Sequence, residues 1–144
     1  HGITDYSSID FPSYAMPLNI LEDIQNERHN SYKEFISIIN QFIGRKIDQV
    51  QVIKYINDLD INFISKINYF VELLKILLKS KLTNESLSGA YKEFNSMKFS
   101  NLKISNIIIE LNDLRNNFFD VSSINESHVL NYFCSEIKQS IRLQ

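Results

Sequence analysis

Three histidines and a single cysteine are the side chains of this sequence best suited to hold a zinc-like metal, and their spacing limits what they can do. His1, His29 and His128 each stand alone, and Cys134 lies six positions after His128. At roughly 100° per residue, six steps leave the last two about 120° apart around a helix, so they cannot close on one ion. One thiol also excludes an intramolecular disulfide and a cysteine zinc cluster. To act as a nucleophile, Cys134 would need a base and a depressed pKa. It follows Tyr132-Phe133 beside an apolar stripe, which reads as a buried structural thiol. The carboxylate pairs Glu22/Asp23, Asp58/Asp60 and Glu110/Asp113 are spaced as exposed or turn residues, and none is singled out for acid–base work. Gly2, Gly44 and Gly89 are too scattered to build a phosphate-cradling loop. No metal or cofactor is expected.

Two groups of residues suit binding better than catalysis. Lys75, Lys79 and Lys81 gather at the end of a long apolar helix, where positive charge also complements the helix dipole. Tyr6, Ile9, Phe11 and Tyr14 are large side chains outside any periodic element, and they either pack across a groove of the same chain or meet a partner. The net charge of −2 and the pI near 5.9 give the whole molecule no pull toward nucleic acid. Only Arg28, Arg45, Arg115 and Arg142 occur, without the interleaving of arginines and aromatics that binds single strands. The candidate partner-binding set is therefore Tyr6, Phe11 and Tyr14 in the first segment and Lys75, Lys79 and Lys81 in the helix end.

Ile3-Thr4-Asp5-Tyr6-Ser7-Ser8-Ile9 resembles the ITDYSS motif of teichoic-acid-type glycerophosphotransferases. The resemblance implies a nucleotide-phosphate site at Ser7 and Ser8, set after a strand of a Rossmann-like domain. It covers seven residues of 144, and the helical patterns that follow depart from that setting.

Those patterns point to an all-α fold. At 144 residues, with 44% hydrophobic and 22% charged side chains, the chain has the size and balance of one globular domain. Three glycines and two prolines, Pro12 and Pro17, are too few for the turns of a sandwich or barrel. Residues 1–16 read as an extended arm, and 17–144 as a bundle of about five to seven helices. Pro17 opens a short helix to about Asn26. Ser31-Tyr32-Lys33-Glu34 has capping-box spacing and either starts a second helix or lies within a continuous one. Tyr32, Phe35, Ile36, Ile39, Phe42 and Ile43 then line one face up to Gly44. Asp48 caps a helix carrying Val52, Ile53 and Ile56, and a helix from about Ile61 to Lys81 is apolar enough to be the central element. Thr83 or Asn84 would cap a helix through Phe94, with a break over 95–100. Ser100 or Asn101 begins another, with Leu102, Ile104, Ile107, Ile108, Leu111, Leu114 and Phe118 inward. The capping box Ser123-Ile124-Asn125-Glu126 starts a last helix that runs through Ile141 nearly to the end.

The charges at Lys66, Glu72, Lys75 and Lys79 exclude a membrane span in the most apolar helix. Heavy use of isoleucine and asparagine, and lysine over arginine by 11 to 4, suits A/T-rich codons. The expectation is a non-enzymatic domain that binds a partner protein, of the kind found among bacterial or viral effectors, immunity proteins and secretion components, in a cell's own cytosol or a host's. The alternatives are an enzyme or ligand-binding bundle with a site assembled from dispersed residues, and anionic-membrane binding by the lysine-rich helix end.

Overall fold

The computed structural model describes the backbone of residues 18–117 and 125–143, and the side chains of 30–117 and 125–142. Tyr6, Phe11, Tyr14, Pro17, Phe118 and Ser123 lie outside these residues, and so does the glycerophosphotransferase-like motif. The elements are α1 (Leu18–Ile43), α2 (Gln49–Asp58), α3 (Phe63–Thr83), a 3-10 helix (Gly89–Ser96), β1 (Met97–Phe99), α4 (Asn101–Asn116), α5 (Glu126–Ser140) and β2 (Ile141–Leu143). The fold is all-α, with β1 and β2 forming a two-stranded antiparallel ribbon.

Helix α1 is continuous through Ser31, so the capping box read there is not used. Helix-forming residues run through it without glycine or proline, and nothing ends the helix until Gly44. The residue that turns the chain there is Arg45, in the left-handed region at φ 61°. Asp48 does cap α2, with its carboxylate accepting from the Gln51 backbone N–H at 2.8 Å and the Gln51 side chain accepting from the Asp48 N–H at 2.9 Å. Asn62 caps α3 through the Ser65 N–H. Asn84, read as a possible helix start, instead ends α3 in the left-handed conformation that asparagine tolerates well. The helix after it is a 3-10 helix whose N-cap Ser88 makes no side-chain cap bond.

Two further expectations are corrected. Residues 97–99 form a strand rather than a break, and Ile141 belongs to its partner strand rather than to α5. The ribbon pairs Phe99 with Ile141 and Lys98 with Arg142, and the Ser100 N–H continues it onto the Ser140 carbonyl at 2.9 Å. Leu102, read as inward, is exposed; it sits in the first turn of α4 ahead of the buried face of Ile104, Ile107 and Leu111. For α5 the cap is Asn125, whose side chain accepts from the His128 N–H.

The core is one cluster, built chiefly on the second half of α1 and on α3. Phe35, Ile36, Ile38, Ile39, Phe42 and Ile43 are all buried, and α1 packs on α2, the 3-10 helix, α3 and β2. Helix α3 packs chiefly on α4, and its most buried side chains are Ile67, Phe70, Leu73, Leu74 and Leu77. Rings join the two layers. Phe35 meets Phe70 edge to face with centroids 4.8 Å apart, and Tyr32 meets Tyr69 likewise at 5.1 Å. Such pairs contribute about 0.5–1.5 kcal/mol each beyond their burial.

Arg45 holds a backbone conformation that costs an L-side chain about 1 kcal/mol. Arg45→Gly is therefore expected to leave the fold intact and to raise the urea midpoint by a small amount, up to about 1 kcal/mol in stability, the extra freedom of the unfolded glycine offsetting part of the gain. An unchanged or lower midpoint would show that the side chain contributes more than its backbone strain costs.

Candidate binding surface at the paired ends of α3 and α4

Helices α3 and α4 run antiparallel, and one arginine fixes their offset. Arg115, in the last turn of α4, donates to Asn68 near the start of α3 at 2.8 Å and to Asn112 at 2.7 Å. From Asn68 to Leu82 is fourteen residues and from Arg115 back to Leu102 is thirteen, so at about 1.5 Å per residue these two leucines reach nearly the same level of the pair. Both are exposed, Leu82 at 67% and Leu102 at 73%. The end of α3 also carries Lys75, Lys79 and Lys81, all exposed, and the start of α4 adds exposed Lys103. Lys75, Lys79 and Leu82 recur at helical spacing on one outward face.

The connection beyond α3 is tied down by local bonds. Thr83 Oγ1 donates to the Lys79 carbonyl at 2.8 Å, and the Ser80 hydroxyl donates to the Glu85 carbonyl. Further on, the Asn95 side chain accepts from the Leu87 N–H and donates to the Leu87 carbonyl, each at 2.8 Å. Leu82 is thus exposed beside a braced loop, and the lysines stand around it with Glu85 as the nearby carboxylate of the loop.

Lys75 and Lys79 share one face with Leu82, as their spacing implied, whereas Lys81 lies about 160° around the helix from Lys79; exposed Leu102 and Lys103 stand at the start of α4. Sequence pattern missed Leu102 because its position matched the inward period of α4; the signal that could have found it is its place in the first turn, two residues after the N-cap Ser100.

The residues with intrinsic reactivity are accounted for otherwise. Cys134 is fully buried in α5, and burial pushes its thiol up to about 12. His128, six residues away, is exposed. Tyr132 donates to the Glu110 carboxylate at 2.7 Å, and that bond, with a smaller contribution from desolvation, pushes its phenol up to about 12. Half-buried Tyr32 is raised further, first by burial and then by its hydrogen bond with the Tyr91 hydroxyl at 2.8 Å. Among the described residues no group of three or more histidine, cysteine or acidic side chains is placed to hold a metal, and no helix is long and apolar enough to cross a membrane.

No family model, curated protein or solved structure matches this chain.

Because the folded thiol of Cys134 keeps its proton until about pH 12 while an unfolded thiol ionises near about 8.5, its contribution to stability is complete below the lower value. It is lost as pH rises through that window toward the higher one. Urea midpoints measured at about pH 8 and about pH 10.5 should therefore fall more steeply for the native chain than for Cys134→Ala. The native thiol should also ignore a small alkylating reagent until denaturant is added. Equal slopes together with rapid native alkylation would contradict the burial.

Proposed function

We propose that this chain is a protein-interaction domain that binds a partner through the paired ends of α3 and α4. One observation carries the reading: two leucines, each about two-thirds or more exposed, reach one level of a helix pair whose end also gathers four lysines. Single exposed apolar residues such as Val50 call for no explanation. Leucines set among like charges are different, because lysine stems cover apolar surface while their ammonium groups favour a carboxylate-bearing partner. The fitting partner is a protein surface with an apolar centre and an acidic rim. Tyr6, Phe11 and Tyr14 are proposed as a second contact of the same kind, on sequence alone.

The test is charge reversal. Lys75→Glu, Lys79→Glu and Lys81→Glu together change only exposed side chains and leave the core intact. Extract from the native source is passed over the native chain and over this variant, and a protein held by the native chain is then purified and titrated. Loss of affinity by about tenfold or more in the variant, and again in Leu82→Glu with Leu102→Glu, supports the surface. Equal binding by all three removes it. Sedimentation with vesicles containing phosphatidylserine is the parallel measurement: salt-sensitive binding to them, without a protein partner, would replace this reading with membrane attachment.

A second reading rests on the glycerophosphotransferase-like residues Ile3 to Ile9. In it the helices are an appendage to a nucleotide-using transferase, with Ser7 and Ser8 at the phosphates. Calorimetric titration with a nucleoside diphosphate should then give saturable binding that Ser7→Ala with Ser8→Ala abolishes; an absence of heat in the native chain discards it.

A further inference from the structure

Lys33, Ser37, Asn40, Gln41 and Gly44 recur on one face of α1 at three- and four-residue spacing. Facing them, Ala90, Glu93 and Ser96 recur every third residue of the 3-10 helix, where such residues stand in a line. Between the two lines runs an open groove of about 700 Å³, with Lys46 beyond Gly44 at its far end. Its size falls within the range of pockets that take small organic ligands. The short side chain of Ala90 and the lack of one at Gly44 leave the space between the two lines. The 3-10 helix is held in place by the Tyr91–Tyr32 hydrogen bond and by Phe94, which is fully buried. The groove is thus built into the packing.

One lining residue, Asn40, carries a buried side-chain oxygen that the fold does not satisfy. Asn40 is nine-tenths buried, and its Oδ1 has no hydrogen-bond partner. Gln41 Nε2 donates to Ser37 Oγ at 3.3 Å, and Ser96 Oγ donates to the Glu93 backbone carbonyl at 3.0 Å, so these side chains are already oriented. Asn40 Oδ1 and the Glu93 carboxylate need donors, whereas Lys33 and Lys46 need acceptors. A bare anion would satisfy the lysines and be repelled by Glu93. A hydroxyl group donates and accepts, and so serves both kinds of partner.

We propose that the groove between α1 and the 3-10 helix binds a small polyhydroxylated ligand bearing an anionic group, the chemistry of a sugar phosphate or an acidic sugar. The hydroxyls go to Asn40, Gln41 and Glu93 in the middle, and the anionic group goes to a lysine at one end, Lys33 on α1 or Lys46 beyond its last turn. The site shares no residue with the α3–α4 surface and stands whether or not that surface binds a protein.

The experiment is an NMR titration of the full chain, following the side-chain amide signals of Asn40 and Gln41. Glucose 6-phosphate and glucuronic acid separate the two anionic sources, and glucose and inorganic phosphate supply each half of the ligand alone. Saturable shifts with either of the first two below about 10 mM, at least about tenfold tighter than with either half alone, are expected. Lys33→Glu with Lys46→Glu changes exposed side chains only, and should weaken binding by about tenfold or more. Asn40→Leu should abolish it while leaving the chain as stable as before or more so, because it removes a buried unpaired carbonyl. Shifts with none of the probes, equal shifts with inorganic phosphate alone, or an unaltered response in the lysine variant would each overturn the proposal.

Discussion

The edge-to-face contact of Phe35 on Phe70, with centroids 4.8 Å apart, sets where α1 meets α3, and the rest of the molecule is arranged around it. Both rings are fully buried, so neither helix can slide without opening a cavity the size of a benzene ring. A void of that kind costs about 3–5 kcal/mol, a large part of a domain's net stability. Tyr69 packs beside Phe35 at 5.7 Å and Tyr32 packs on both, so the contact extends along α1 as a row of rings. Tyr91 then joins the row through the Tyr32 hydroxyl, which carries the 3-10 helix to its place against α1. Two turns further along the same face of α1, Phe42 receives the Lys138 ammonium 5.2 Å from its ring centre, linking α1 to α5.

Much of this was legible from periodicity alone. The apolar residues of α1 from Tyr32 to Ile43, the Asp48 cap and the apolar helix after Asn62 are local consequences of residue type, and each appears as read. What pattern could not settle depended on partners distant in sequence. The box at Ser31 has the right residues, but a cap forms only where the preceding residue leaves the helix, and α1 continues on both sides of it. The strand at 97–99 exists because residues 141–143 lie alongside it; neither three-residue segment has a partner within its own neighbourhood. The apolar content of α3 matches its buried side chains on more than half its circumference, whereas the packing of α1 on α2, the 3-10 helix and β2 depends on topology and not on hydrophobicity. The lysine cluster was visible as a run of residues, and the leucine that shares its level was not, since Leu102 is brought there by an antiparallel pairing.

Asparagine explains how so helical a chain with three glycines turns its corners. Asn62 and Asn125 cap helices, and Asn84 ends one in the left-handed region. Asn57 receives the ammonium of largely buried Lys66, Asn68 receives Arg115, and Asn131 receives Gln49 from α2. A short amide that donates and accepts can do the work of glycine at a turn and of a longer polar side chain between helices. Against this consistent use, Asn40 and Asn101 are the described residues whose buried side-chain oxygen has no partner. Asn101 stands in the first turn of α4, at the edge of the helix. Asn40 stands where the buried face of α1, with Ile36 and Ile43, borders the groove.

Among the departures from the apolar-in, polar-out rule, which include exposed Val50 and Ile109, two bear on the proposed sites. Leu82 and Leu102 lie outside the core, and each forgoes about 1.5–3 kcal/mol that burial would give. Asn40 lies within it, at a cost of about 1–3 kcal/mol for the unpaired oxygen. Neither departure helps the fold: a polar residue at the leucines and an apolar one at Asn40 would satisfy the same helices. Both sit on rigid elements, beside charged side chains of suitable sign, and at a groove or at paired helix ends. Departures of this kind are the physical grounds on which the α3–α4 end and the groove beside Asn40 are proposed as sites, and not Cys134, whose burial and raised pKa follow from the fold.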